Sequence, residues 1–110
     1  MRYGVVIAIL FCAALLEAGG DALMRGGLHS ASATQRGILL FAGALVLAAY
    51  GYTVNAPPWD FGKLLGVYVA IFFVIAQLIA WFGFGQKPTH TVLLGGILII
   101  AGGLIVSSGK

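Results

Sequence analysis

Glu17 and Asp21 are the only acids within an apolar run of this chain, and their spacing of four residues puts them on one face of a helix, about 40° apart. The run covers about residues 4–24. At about 1.5 Å per residue from its midpoint, Glu17 falls roughly 5 Å from the centre of a bilayer and Asp21 roughly 10 Å from it. A carboxylate at such depth costs at least about 2.5 kcal/mol to insert, so Glu17 reads as a functional group before it reads as a structural one. The plain alternative is a protonated carboxyl that bonds a neighbouring helix. For Asp21 the plain reading is the stronger one: an ion pair with Arg25, one turn on, near the membrane surface.

A deep carboxyl can hold a proton or a cation but not both, and a site that faces the two sides of a membrane in turn then exchanges one for the other. This is antiport by shared occupancy. It calls for no nucleotide, metal, cofactor or covalent intermediate, and the sequence has neither a phosphate-binding glycine loop nor a cluster of metal-ligand residues. An enzyme is not expected, because a single deep carboxylate lacks a nucleophile or metal to work with. Tyr68 is the first candidate partner for Glu17: its hydroxyl can bond the carboxyl and its ring can face a cation. Gly20, Tyr50, Gln77 and Trp81 are candidates for lining the same chamber, with Tyr52 and Phe72 behind them.

These residues must be positioned by membrane helices. The chain has 110 residues, 61% hydrophobic and 8% charged, with a mean hydropathy of +1.07. A soluble domain carries about a quarter charged residues. A span needs roughly 20 apolar residues, and the sequence supplies four such stretches at about 4–24, 37–56, 64–84 and 91–107. They predict an all-α, multi-pass membrane protein of one four-helix domain. Pro57-Pro58 ends the second stretch. Cys12, the one cysteine, falls inside the first run, where the expectation is a small buried hydrophobe.

The net charge of +3 comes from six Lys and Arg at helix ends, which reads as topology signalling and not as a nucleic-acid patch. With four crossings, Arg2, Lys63 and Lys110 lie on one side and Arg25, Arg36 and Lys87 on the other. Orientation normally follows an excess of these residues in cytoplasmic loops. The even split predicts insertion both ways up, hence an antiparallel dimer. Gly95-Gly96 and Gly102-Gly103 stripe the fourth helix, a surface for close association. It joins either two chains or two helices of one chain, and two chains are the expectation. The partner is then a second copy or a paralogous chain.

The run Ala14-Leu15-Leu16-Glu17-Ala18-Gly19-Gly20-Asp21-Ala22-Leu23-Met24-Arg25 resembles the first helix of the small multidrug resistance transporters, in which a membrane glutamate precedes a glycine, a leucine-methionine pair and a basic residue. Trp81-Phe82-Gly83-Phe84-Gly85-Gln86-Lys87, followed by Gly95 through Gly103, is similar to that family's third-helix exit and dimerising fourth helix. The resemblance implies a proton-coupled exporter of small cationic compounds in the cell's inner (plasma) membrane, working as an antiparallel dual-topology dimer. Glu17 would take the shared proton and substrate role, Tyr68 roughly the place of a substrate-stacking tryptophan, and Gly95 and Gly102 the dimerisation positions. The third helix departs from the family: Leu65-Gly66-Val67-Tyr68-Val69-Ala70 lacks the usual tyrosine and glycine kink, and Asp21 is an additional acid. Asp60-Phe61-Gly62-Lys63 is closer to a sister group of small four-helix membrane proteins. The competing reading is a non-transporting membrane scaffold, or a heterodimer partner.

Overall fold

The computed structural model describes residues 2–109. It holds four helices, α1 (Tyr3–Leu28), α2 (Ala33–Val54), α3 (Phe61–Phe84) and α4 (His90–Ser108), and no strand among the described residues. Each is long and apolar enough to cross a membrane. Lys110, counted above in the charge balance, lies outside the described residues.

The helix ends follow from local chemistry. Ser32 caps α2, its hydroxyl accepting from the Gln35 amide at 3.3 Å, and Thr89 caps α4 in the same way from the Val92 amide at 3.3 Å. Gly85, at φ 68°, takes the left-handed conformation that ends α3. Three expected boundaries move, one being the start of α3, which lies at Phe61 and not at 64. α1 runs through Gly26-Gly27 to Leu28, and α2 begins four residues earlier than the apolar pattern indicates, at Ala33. The paired glycines do not break α1 because Gly27 is a packing residue: a Cβ there would meet Leu40 of α2 at 3.0 Å. The Arg36 guanidinium then closes the α1–α2 turn by donating to the carbonyls of Leu28 (3.3 Å) and Ser30 (3.5 Å).

The helices form an open, curved layer in the order α2, α1, α3, α4, bent so that Tyr50 of α2 reaches Tyr68 of α3. α1 packs on α2 and α3, and α4 packs on α3 alone. The dimensions, 49 × 34 × 18 Å, suit a row better than a square bundle. The neighbours α1 and α3 are parallel: the Tyr3 ring lies 5.6 Å from Trp59 at one end, and the Arg25 guanidinium 5.6 Å from the Phe84 ring at the other. At the first end Lys63 Nζ donates to the Gly109 carbonyl at 3.0 Å, gathering the α2–α3 turn and both chain ends on one side.

Small residues set each interface. α1 and α2 cross where Gly20 meets Gly43; a Cβ on Gly20 would lie 3.3 Å from the Gly43 carbonyl. On α4 the four glycines divide. A Cβ on Gly96 would come 2.5 Å from the Phe73 ring, and one on Gly103 2.5 Å from the Ala70 Cβ, whereas Gly95 and Gly102 face open space. Gly96 and Gly103 therefore hold α4 to α3 within the chain, which corrects their assignment to an interface between chains. Cys12 is exposed on the outer surface of α1 and not buried.

The Ala70 methyl cannot rotate away, so Gly103→Val should force α3 and α4 apart at a cost of about 1–3 kcal/mol. Gly102→Val, with nothing within 4 Å, should leave the fold of a single chain unchanged. Thermal unfolding in detergent, followed by circular dichroism, checks this. Equal melting of the two variants would refute the assignment of Gly103 to the α3–α4 contact.

Candidate functional site

Glu17 lies about 2 Å from the middle of α1 as the helix is formed, closer than the sequence pattern indicates, because α1 extends to Leu28. It is half-buried. Ala13, Ala14 and Ala18, all buried around it, allow α3 to approach. Tyr68 fills the approach. It is 4% exposed, and its hydroxyl donates to Glu17 Oε1 at 2.6 Å, with the Ala13 carbonyl at 3.5 Å as a second, weaker acceptor. A hydrogen bond of this length is at the short end of the range for a hydroxyl donor and an oxygen acceptor.

Aromatic rings from two further positions surround the pair. Tyr50 of α2 lies with its ring centroid 5.7 Å from that of Tyr68, and Phe72, one turn on in α3, stacks on Tyr68 at 5.9 Å with 29° between the planes. Helices α1, α2 and α3 thus each contribute to one cluster of carboxyl, hydroxyl and ring faces. Such a cluster can hold a proton on Glu17, or a cation against Glu17 and the ring faces. Among the described residues no group of three or more His, Cys, Asp or Glu side chains gathers as a metal site.

The other candidates disperse. Gln77 and Trp81 line an apolar groove of about 290 Å³ between α3 and α4. At 100° per residue Gln77 is 180° from Tyr68 around α3, and Trp81 140°, so neither reaches Glu17. Trp81 instead carries the Lys87 ammonium 5.8 Å over its ring. Gly20 faces α2, as described above, and is absent from the linings of the Gln77–Trp81 groove and the cavity beside Asp21. Tyr52 is 83% exposed.

Asp21 is exposed beside a cavity of about 180 Å³ between α1 and α3. The expected ion pair with Arg25 does not form among the described residues: the Arg25 guanidinium lies over the Phe84 ring. Magnitudes agree with that choice, since a helical ion pair at this spacing is worth about 0.2–0.5 kcal/mol and a cation on a ring about 0.5–1 kcal/mol. Phe84 and Gln86 were not singled out as lining residues by sequence reasoning. Their signal was the turn itself, for a helix that ends at Gly85 brings both beside the last turn of its parallel neighbour α1.

The fold and this cluster define a multi-pass, four-helix membrane protein with a carboxyl–phenol pair in its interior. Over 102 residues, which are 91% of this chain and 90% of the relative, the sequence is 26% identical to a UPF0060 membrane protein of Herpetosiphon aurantiacus. No family profile and no solved structure matches it. The likeness to small multidrug resistance transporters rests on the residues quoted for it and enters only the proposal below.

Removing the Tyr68 hydroxyl takes the donor from Glu17 without opening a large cavity. Tyr68→Phe should shift the infrared carboxyl band that Glu17→Gln abolishes, and should cost about 1.5–3 kcal/mol of stability if the band is that of the ionised form. A carboxyl band of unchanged frequency in Tyr68→Phe would show that the pair is not formed in the membrane.

Proposed function

We propose that this chain is a proton-coupled antiporter that exports small cationic compounds across the cell's inner (plasma) membrane, with Glu17 as the site that proton and cargo share. The observation that carries the proposal is the bond between Tyr68 and Glu17 near the middle of α1, at 2.6 Å. A carboxyl placed where hydration is poor and given one phenol donor keeps an oxygen for a cation or a proton. The Tyr68 and Tyr50 rings beside it offer faces to that cation.

The proposed working unit is an antiparallel homodimer. α4 packs on α3 alone and leaves the groove between α1 and α4 open on one side, and a second chain laid across it would close a chamber. Gly95 and Gly102, which meet nothing in this chain, are the positions left for contact between chains. The unit is a carrier and not an enzyme, with protons and small cations as its partners. The rival reading, a membrane scaffold or a partner for a paralogous chain, is favoured by the same open faces of α4, where Leu94, Leu98 and Ile105 stand exposed.

Reconstituted protein separates the two. Under an imposed pH gradient, vesicles holding the wild-type chain should accumulate a cationic dye or amine. Glu17→Gln should reduce that uptake to the level of empty vesicles while crosslinking still detects dimers. Uptake that persists in Glu17→Gln, or a wild-type chain that moves no cation at any gradient, would sink the antiport reading and leave the scaffold.

A further inference from the structure

The cavity beside Asp21 is where α1 and α3 diverge past the Glu17–Tyr68 bond. Ala18 and Ala22 on α1 face Ala76 and Ala80 on α3 across it, and four methyl groups cannot fill the space between two helix axes. The result is about 180 Å³ open toward the end where α1 and α3 finish. Its inner wall is Phe72, the ring that stacks on Tyr68, so the cavity abuts the Glu17 cluster with one aromatic residue between them. Its rim is Phe84 with Arg25 held over the ring, and Gln86 adds an amide.

Asp21 is the acid of this cavity, and among the described residues it has no cation partner. It lies about 8 Å beyond the middle of α1, within the depth of the hydrocarbon, where an acid must face protein or water. The residue placed to neutralise it, Arg25, sits on Phe84 instead. A carboxylate at that depth, beside a cavity and left without its obvious counter-ion, is an arrangement for a counter-ion that arrives with the cargo.

We infer that this cavity is the second half of the cargo site, and that the cargo is a short linear diammonium compound, one charge at Glu17 and the other at Asp21. This inference rests on the antiport reading of Glu17. Side chains four apart on a helix have Cβ atoms about 5–6 Å from one another, so two ammonium groups that each reach a carboxylate are separated by about four or five methylenes. The alkyl chain passes the Phe72 ring, which separates Glu17 from the cavity, and then lies against the alanine-lined walls. Arg25, one turn beyond Asp21, sets the limit of length: a longer diamine carries its second charge from Asp21 toward a guanidinium, where like charges repel.

Purified protein in detergent, titrated with butylamine, diaminobutane, diaminopentane and diaminooctane, tests this by proton release and intrinsic fluorescence. Diaminobutane and diaminopentane should bind about tenfold to a hundredfold more tightly than butylamine, and diaminooctane less tightly than either. Asp21→Asn should bring the ratio of diamine to monoamine affinity close to one, and Asp21→Glu should retain the preference. Size-exclusion profiles matching the wild type establish that both variants are folded. A wild-type chain that binds monoamine and diamine alike, or a preference that survives Asp21→Asn, overturns the inference and leaves the antiport reading standing. Binding of none of the four amines, with proton release by no other cation, overturns both.

Discussion

One side chain, Glu17, imposes the main constraint, because a carboxyl in hydrocarbon must find its hydrogen bonds inside the protein. Tyr68 answers it from the adjacent helix at 2.6 Å. That bond fixes the register of α1 against α3, because a phenol reaches only about 6 Å from its own backbone and the carboxyl sits on a run of buried alanines that bring the helices together. The contacts at either end of the same interface, Tyr3 with Trp59 and Arg25 with Phe84, occur in the register that the bond sets. Apart from Val54 of α2, the buried helical side chains are on the central helices; α2 and α4 make their closest approaches through glycine, at Gly43 and at Gly96 and Gly103.

Glycine contacts of this kind explain how an open layer is stable. In lipid, apolar side chains gain little by hiding from one another, and helices associate by close van der Waals approach. Large residues such as Phe41, Tyr52, Phe82 and Leu98 can therefore remain outside at no cost in solvation. The same reasoning shows why the layer is not closed: nothing drives α2 and α4 together around a core once their glycine faces are matched to α1 and α3.

Much of this was legible in the sequence. Four apolar stretches gave four helices, and a lone deep acid with a tyrosine one turn into the third helix gave the pair at the centre. Other features were not legible, for identifiable reasons. Gly26-Gly27 looks like a helix end but lies inside α1, where Gly27 packs against Leu39 and Leu40 of α2, since a glycine inside a bilayer lets a neighbour approach without exposing backbone to water. Gly95-Gly96 and Gly102-Gly103 look like one stripe, yet adjacent residues on a helix differ by 100°, so one member of each pair meets α3 and the other does not. Gln77 and Trp81 have the residue types of a chamber wall, but helical angle places them on the reverse face of α3. Asp21 and Arg25 have the spacing of an ion pair, and only the end of α3 reveals that Phe84 takes the arginine.

The cations at the two ends of the layer illustrate how anchoring and orientation separate. Lys63 lies 4.7 Å over the Trp59 ring and bonds the Gly109 carbonyl; Lys87 and Arg25 lie over Trp81 and Phe84, and Arg36 bonds the carbonyls of the α1–α2 turn. Each is tied to a ring or a backbone oxygen close to its helix end, which holds that end at the membrane surface. Such anchors act alike on either leaflet. They fix the depth of Glu17 between the two surfaces, and the three-to-three division of Lys and Arg leaves no excess at either end. For the proposed antiparallel pair this matters, because two chains inserted in opposite senses then present their Glu17 residues at similar depth, where two carboxyls can serve one chamber.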